Sequence, residues 1–336
     1  MKKSLALSIS FLFVFSFMLG LAVMPARGAE GRIAIVYATG GLGDKSFNDS
    51  AHEGILRAEE ELGIEFDQAE PSAIAEYETF LNRFASTRRY DLIISIGFDQ
   101  ADAVKKVAGQ YPDQNFAIID AVVDQPNVAS YVYAEEERGF LVGVAAALMT
   151  TRVEDPRINS QKKIGVVGGM KIPLIDANIA GYIAGAKYVD PEIEVQHSYV
   201  GGWADPAKGK ELTVSMIENG VDIIWQAAGR SGLGVVNASE ENGVYSIGAD
   251  SDQSYLAPEH VLTNGMKFVN NTVFRAVSQI LNDNFQTGTN VLGVAEKGLG
   301  YTESLLPESV IEELEDVKEE IIAGEIEIPS EIEEAK

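Results

Sequence analysis

Cysteine is missing from all 336 residues. That excludes disulfides, thiolate metal ligands, a thiol nucleophile and a lipid-modified cysteine behind an export signal. Histidine occurs only three times, and His52, His197 and His260 are scattered and without partners. With no zincin helix and no Gly-x-Ser-x-Gly elbow either, nothing points to an enzyme. Basic residues are scarce, 26 Lys and Arg against 51 Asp and Glu, for a formal net charge of -25. Phosphate backbones are bound by concentrated Lys and Arg, so nucleic acid is not an expected partner. No apolar run beyond the first residues is long enough to span a membrane.

Met1-Lys2-Lys3, the apolar run from Leu5 to Leu21 and the small residues around Ala26-Arg27-Gly28-Ala29 form the three-part pattern of a secretory signal peptide, assigned to residues 1–28. An uncleaved anchor is the alternative. About 308 residues then remain, more than one ordinary core holds, and two similar α/β halves are expected. Acidic runs such as Glu59-Glu60-Glu61 and the tail from Glu325 to Glu334 read as solvated faces.

Ile33-Ala34-Ile35-Val36-Tyr37 reads as a buried parallel strand, and helical spacing resumes at His52. Between them, Ala38-Thr39-Gly40-Gly41-Leu42-Gly43-Asp44-Lys45-Ser46-Phe47-Asn48 is a glycine-rich strand-to-helix switch, the kind of place where α/β sheets bind small molecules. It is not a phosphate-cradling Walker loop, because Asp44 stands where that loop requires Gly before Lys-Ser. A neutral ligand fits better. A plain turn in which Asn48 or Ser46 caps the helix is the competing reading.

Short apolar strands alternate with amphipathic helices along the chain. Strands are expected at Asp91–Gly97, Asn115–Asp120, Lys163–Gly169, Val221–Gln226 and Val244–Asp250, and helices at Ala73–Ser86, Ala101–Gln110, Leu174–Tyr188 and Ala207–Asn219. The rhythm predicts parallel sheets covered on both faces, and its restart near Lys162 marks a second lobe. Asp120, Gly169, Gly201, Gly229 and Asp250 end strands on their carboxyl side, where open sheets place a ligand crevice. Two carboxylates in Asp250-Ser251-Asp252 read as caps and hydroxyl acceptors sooner than as a metal site; no metal or cofactor is expected.

Taken together, these segments resemble the basic membrane protein family of PnrA-type purine nucleoside receptors that feed ABC importers. The matching residues are Gly40 to Asn48, Phe116-Ala117-Ile118-Ile119-Asp120, Gly168 to Pro173, Asp205-Pro206-Ala207-Lys208-Gly209, Gly229 to Val235 and Gly248 to Gln253, in order across almost the whole mature chain. The resemblance implies a two-lobed type I periplasmic-binding fold, each lobe a parallel sheet flanked by helices. Residues 30–133 with about 251–290 would form one lobe, and 134–250 with about 291–336 the other. It also implies an exported monomer in the periplasm or on the outer face of the membrane, with a purine nucleoside as ligand and an ABC permease as partner. A sugar is the alternative solute.

Carried over residue by residue, the resemblance makes Phe47 and Trp203 an aromatic sandwich for the base, with Trp203 where relatives commonly carry Phe. Asp120 would accept hydrogen bonds from the purine edge, while Asp250 and Lys267 would hold the ribose hydroxyls. Asn48 would meet the ligand edge, Gly229 would admit backbone close to it, and Asp44 would bind the ligand from the loop. Arg230 is expected to face solvent. Ala38 departs from the pattern, since many relatives carry an acid there.

Overall fold

The computed structural model describes residues 31–336; the expected signal segment, 1–28, lies outside the described residues. The chain opens with β1 (Arg32–Val36), α1 (Phe47–Leu62), β2 (Glu65–Ala69), α2 (Tyr77–Ser86), β3 (Leu92–Ile96), α3 (Ala101–Gln110), β4 (Phe116–Ile119) and β5 (Val128–Tyr133). A second series follows: α4 (Glu135–Thr150), β6 (Lys163–Gly168), α5 (Pro173–Val189), β7 (Glu194–Tyr199), α6 (Pro206–Glu218), β8 (Ile223–Ala227), α7 (Gly232–Asn242), β9 (Tyr245–Asp250) and β10 (Val261–Lys267). The chain ends with α8 (Val269–Leu281), β11 (Gly288–Leu292), β12 (Leu299–Tyr301) and α9 (Glu308–Ala323).

These strands form two six-stranded sheets, in the orders β11-β5-β4-β3-β1-β2 and β12-β10-β9-β8-β6-β7. All pairings are parallel except β10 with β12. The alternation of side chains along each strand explains the layering. In β1, Ile33 and Ile35 face one apolar cluster, which contains the inner residues of α1 and α8, whereas Ala34 and Val36 face another, built with α2 and α3. In the second sheet Val166 packs toward α4 and α5, and Val167 faces the opposite cluster with Met216 and Val235.

The segment 251–267, expected with the first lobe, pairs instead within the second sheet. Gly265 sits opposite Ala249, and Lys267 pairs with Leu299 of β12. The chain returns to the first sheet only with β11 beside β5. The chain therefore crosses between the sheets three times, at Ala134, at Phe268 and over 293–298. These crossings lie side by side: Ala134 N donates to Leu292 O at 3.3 Å and Phe268 N to Gly298 O at 2.9 Å.

α4 and α5 cross with almost no space between their backbones. A Cβ at Gly139 would lie 2.1 Å from Asn178 O, one at Gly143 2.4 Å from Tyr182 O, one at Gly181 2.0 Å from Glu136 O and one at Gly185 2.2 Å from Phe140 O. Two Gly-x-x-x-Gly pairs thus face each other across one helix contact.

Candidate functional site

The carboxyl ends of β1, β3, β4, β8 and β9 open onto one cavity of about 690 Å³, its mouth included. Asp44, Phe47, Asn48, Asp120, Trp203, Gly229, Asp250 and Lys267 all line it. The strand-end rule brings them together from both sheets.

The glycine-rich loop is organised by Asp44, which is buried. Its Oδ1 accepts from Ser46 N at 2.9 Å and Asp49 N at 3.1 Å, and its Oδ2 accepts from Asn48 N at 2.9 Å and Asn48 Nδ2 at 3.1 Å. Asp44 thereby satisfies the free N–H groups at the start of α1, the role expected of Asn48 or Ser46. Burial raises the Asp44 carboxyl above its ordinary range. Asn48 Oδ1 accepts from Ala38 N at 2.9 Å, so this amide ties the loop to the end of β1. Ser46 is free to point the other way, and its hydroxyl donates to Asp250 Oδ2 in the second lobe.

Asp120 and Asp250 close β4 and β9 with φ of 69° and 67°. Left-handed backbone at a non-glycine residue costs on the order of 1–3 kcal/mol and persists where a site requires it. Both carboxylates enter a buried ion cluster. Lys267 Nζ lies 2.6 Å from Asp120 Oδ1 and 2.7 Å from Oδ2, and hydrogen-bonds the latter. It also donates to Glu135 Oε1 at 2.6 Å. Arg138 reaches Glu135 Oε2 at 2.8 Å, Asp250 Oδ1 at 2.6 Å and, through Nε, Asn178 Oδ1 at 2.9 Å. Asp250 is bonded to Arg138 and Ser46, while Lys267 lies between Asp120 and Glu135.

Three carboxylates face two cations in this cluster, with side-chain exposures of 2–5% except 12% at Asp250. One negative charge is in excess. It shows at Asp120, whose carboxyl is pushed up to about 6 by burial, with Lys267 opposing and Glu135 and Asp250 reinforcing. Glu135 moves the other way: burial disfavours its charge, but Arg138 and Lys267 together hold it below the ordinary range. Among the described residues, Asp120 Oδ1 is buried and meets no donor but the Lys267 ammonium 2.6 Å away, with which it makes no well-formed hydrogen bond. A carboxylate oxygen in that position keeps a lone pair for a further N–H or O–H.

Aromatic rings close the cavity. The Lys267 ammonium lies 5.1 Å from the Phe47 ring centroid and 4.6 Å from that of Tyr133. Trp203 lies so close over Gly169 that a Cβ there would come within 2.2 Å of the indole, and its ring meets Phe98 edge-on at 6.4 Å. Gly229, with φ of 56°, leaves room beside Trp203, whose carbonyl would stand 3.6 Å from an added Cβ.

Arg230 does not face solvent. Its Nη2 donates across the cleft to Leu42 O at 2.7 Å, and its Nε is buried without an acceptor. Gln253 Nε2 likewise reaches Lys45 O at 2.8 Å, and Ser251 Oγ reaches Ser46 O at 3.3 Å. The glycine-rich loop is thus gripped from the opposite lobe. Sequence reasoning also passed over Glu135, Arg138, Phe98 and Asp99. The last two follow Gly97 directly after β3, so the strand-end rule applied to that strand would have found them.

The family described as ABC transporter substrate-binding protein, PnrA-like, matches residues 32–331. The chain is 34% identical over 300 residues to Basic membrane protein A1 of Borrelia garinii subsp. bavariensis, covering 86% of each protein. It is 33% identical over 362 residues to the ABC transporter nucleoside-binding protein BmpA of Lactococcus lactis subsp. cremoris, covering 98% of this chain and 99% of that one. A solute-binding protein of an ABC transporter system from Aeropyrum pernix K1 superposes with a TM-score of 0.83 at 30% identity, covering 90% of this chain and 95% of the other. Two α/β lobes around a cleft of buried charges and aromatics are the architecture of solute receptors, and the chain belongs to the PnrA-like family of ABC transporter substrate-binding proteins.

Proposed function

We propose that this chain is an exported receptor that captures a purine nucleoside in the cleft between its lobes and delivers it, unaltered, to the permease of an ABC importer. Asp120 carries the reading: a buried carboxylate whose only side-chain partner among the described residues is Lys267, on a cavity wall that also holds Phe47 and Trp203. A carboxylate accepts only, so it selects a ligand edge bearing N–H groups, and aromatic faces add about 1–3 kcal/mol per stacked base. Asp250, fixed by Arg138 and Ser46, faces the same cavity as an acceptor for sugar hydroxyls. The name of the Lactococcus relative, a nucleoside-binding protein, supports the ligand class. Among the described residues no helix is long and apolar enough to cross a membrane, in keeping with a receptor that works beside its permease. It acts as a monomer, one cleft per chain.

Mass spectrometry of small molecules released on denaturing the purified protein tests this directly. A purine nucleoside should appear, and calorimetry should show guanosine or inosine binding and surviving prolonged incubation intact. Release of a sugar, with no heat from any nucleoside, would move the assignment to sugar uptake. Free base accumulating from bound nucleoside would make the protein an enzyme.

A further inference from the structure

Asp99 belongs to none of the ion pairs described above, yet it lines the same cavity. One of its oxygens is fully employed: Oδ2 accepts from Tyr77 Oη at 2.9 Å and from Thr39 Oγ1 at 3.4 Å. Tyr77 is itself buried and held, its hydroxyl accepting from Thr39 N at 2.8 Å. The other oxygen, Oδ1, is buried and has no donor. Burial raises the Asp99 carboxyl above its ordinary range, with the bonds from Tyr77 and Thr39 opposing the shift.

The position of that oxygen is set by the strand ends. Gly97 N donates to Ile119 O at 3.2 Å, which places Gly97 beside Asp120 on adjacent parallel strands, about 4.8 Å apart. A Cβ at Gly97 would lie 3.2 Å from Asp99 Oδ1 and 3.1 Å from Ala38 Cβ. The bare oxygen of Asp99 therefore lies over the end of β3, next to the strand that ends in Asp120. The small Ala38 side chain and the absent one at Gly97 leave that corner open. Both Asp120 oxygens lie against the Lys267 ammonium, Oδ1 at 2.6 Å and Oδ2 at 2.7 Å. With part of its accepting capacity taken by that cation, Asp120 is served by a second acceptor where an edge brings two neighbouring donors.

We propose that Asp99 is a specificity-determining residue, its Oδ1 acting with Asp120 Oδ1 to read a purine nucleoside edge that presents two adjacent donors, a ring N–H and an exocyclic amine. Guanosine has that edge. Inosine has the ring N–H alone, and adenosine places an acceptor where the ring N–H would be. The inference rests on the nucleoside reading given above. Tyr77 is a positioning residue, holding Oδ2 so that Oδ1 is presented to the cavity.

Calorimetric titration of the full mature protein with guanosine and inosine tests it. The wild type should bind guanosine roughly tenfold or more tighter than inosine, since an acceptor left unpaired penalises the analogue that lacks the donor. Asp99→Asn should abolish that ratio while changing inosine affinity by less than about threefold. Tyr77→Phe, which removes the support and keeps the carboxylate, should shrink the guanosine-to-inosine ratio without abolishing it, a change that a loss of stability alone would not produce. A wild type that binds both nucleosides equally, or an Asp99→Asn protein that keeps the full ratio, overturns the role of Asp99 and leaves nucleoside capture standing. A wild type that binds neither overturns both. The wild-type ratio needs no variant, so a substitution that fails to fold cannot hide the answer.

Discussion

At the residue scale, the excess negative charge at Asp120 has a definite sign in its pH dependence. Its carboxyl stands at about 6 in the folded protein against an ordinary 3.8. Between these values the folded state holds a proton that the unfolded chain has released, so stability falls as pH rises through that window. Glu135, held below its ordinary 4.5, contributes stability that is present above that value and lost only as pH falls through its lower folded one. Thermal melts of ligand-free protein should therefore show Asp120→Asn gaining on the wild type as pH rises from about 4 to 6, by up to about 1.4 kcal/mol per pH unit, and levelling off above that. Asn tolerates the left-handed backbone at this position, so the change is one of charge. Parallel curves for the two proteins would place the excess charge elsewhere in the cluster.

Which of these residues could be read in the sequence follows from where their partners sit. Asp120 and Asp250 end apolar strands, and Phe47 and Asn48 lie in a glycine-rich switch, so their own neighbours mark them. Glu135 and Arg138 do not stand out. They belong to Glu135-Glu136-Glu137-Arg138, the charged first turn of α4, which looks like any acidic helix start. Only the fold brings that turn under Lys267. Arg230 misleads for the same reason, since Leu42, the residue that receives it, is 188 positions away.

At the scale of elements, β1, β3, β4, β6, β8 and β9 were legible, whereas the buried β5 and β10 and the edge strands were not. β3, β4, β6, β8 and β9 are continuous apolar runs because both faces are covered, whereas β2 (EFDQA) and β7 (EVQHSY) carry polar residues along a sheet edge. The glycines of α4 and α5 are spaced for a close helix crossing, but spacing alone does not say which partner helix they meet. Gly181→Ala would push a methyl to 2.0 Å from Glu136 O in the turn that carries Glu135 and Arg138. Such overpacking costs about 1–3 kcal/mol, and ligand affinity should fall with the melting temperature because the ion cluster shifts. Gly109→Ala in α3 meets only Gln125 Nε2 at 3.5 Å and should leave both unchanged or slightly improved. Equal behaviour of the two variants would show that the crossing has slack to spare.

At the scale of the whole molecule, the bonds from Arg230, Gln253, Ser251 and Asp250 to the 42–46 loop hold the two lobes together across the cleft. Arg230→Ala removes one of these grips without touching either sheet. The ligand-free variant should show a larger radius of gyration in solution scattering than the wild type, and bound ligand should leave it faster. Identical scattering and identical release rates would mean that the lobes keep their positions without this contact.

The three crossings between the sheets run next to one another, and the ion cluster is fastened to two of them. Glu135 is the first residue after the crossing at Ala134, and Lys267 is the last before the crossing at Phe268. The cluster thus braces the junction of the lobes as well as lining the cavity. If a ligand engages Asp120 as proposed, that contact, like a proton landing there, would act on the very place where the sheets are joined. Occupancy and shape would then be registered by the same few atoms, with no relay between them.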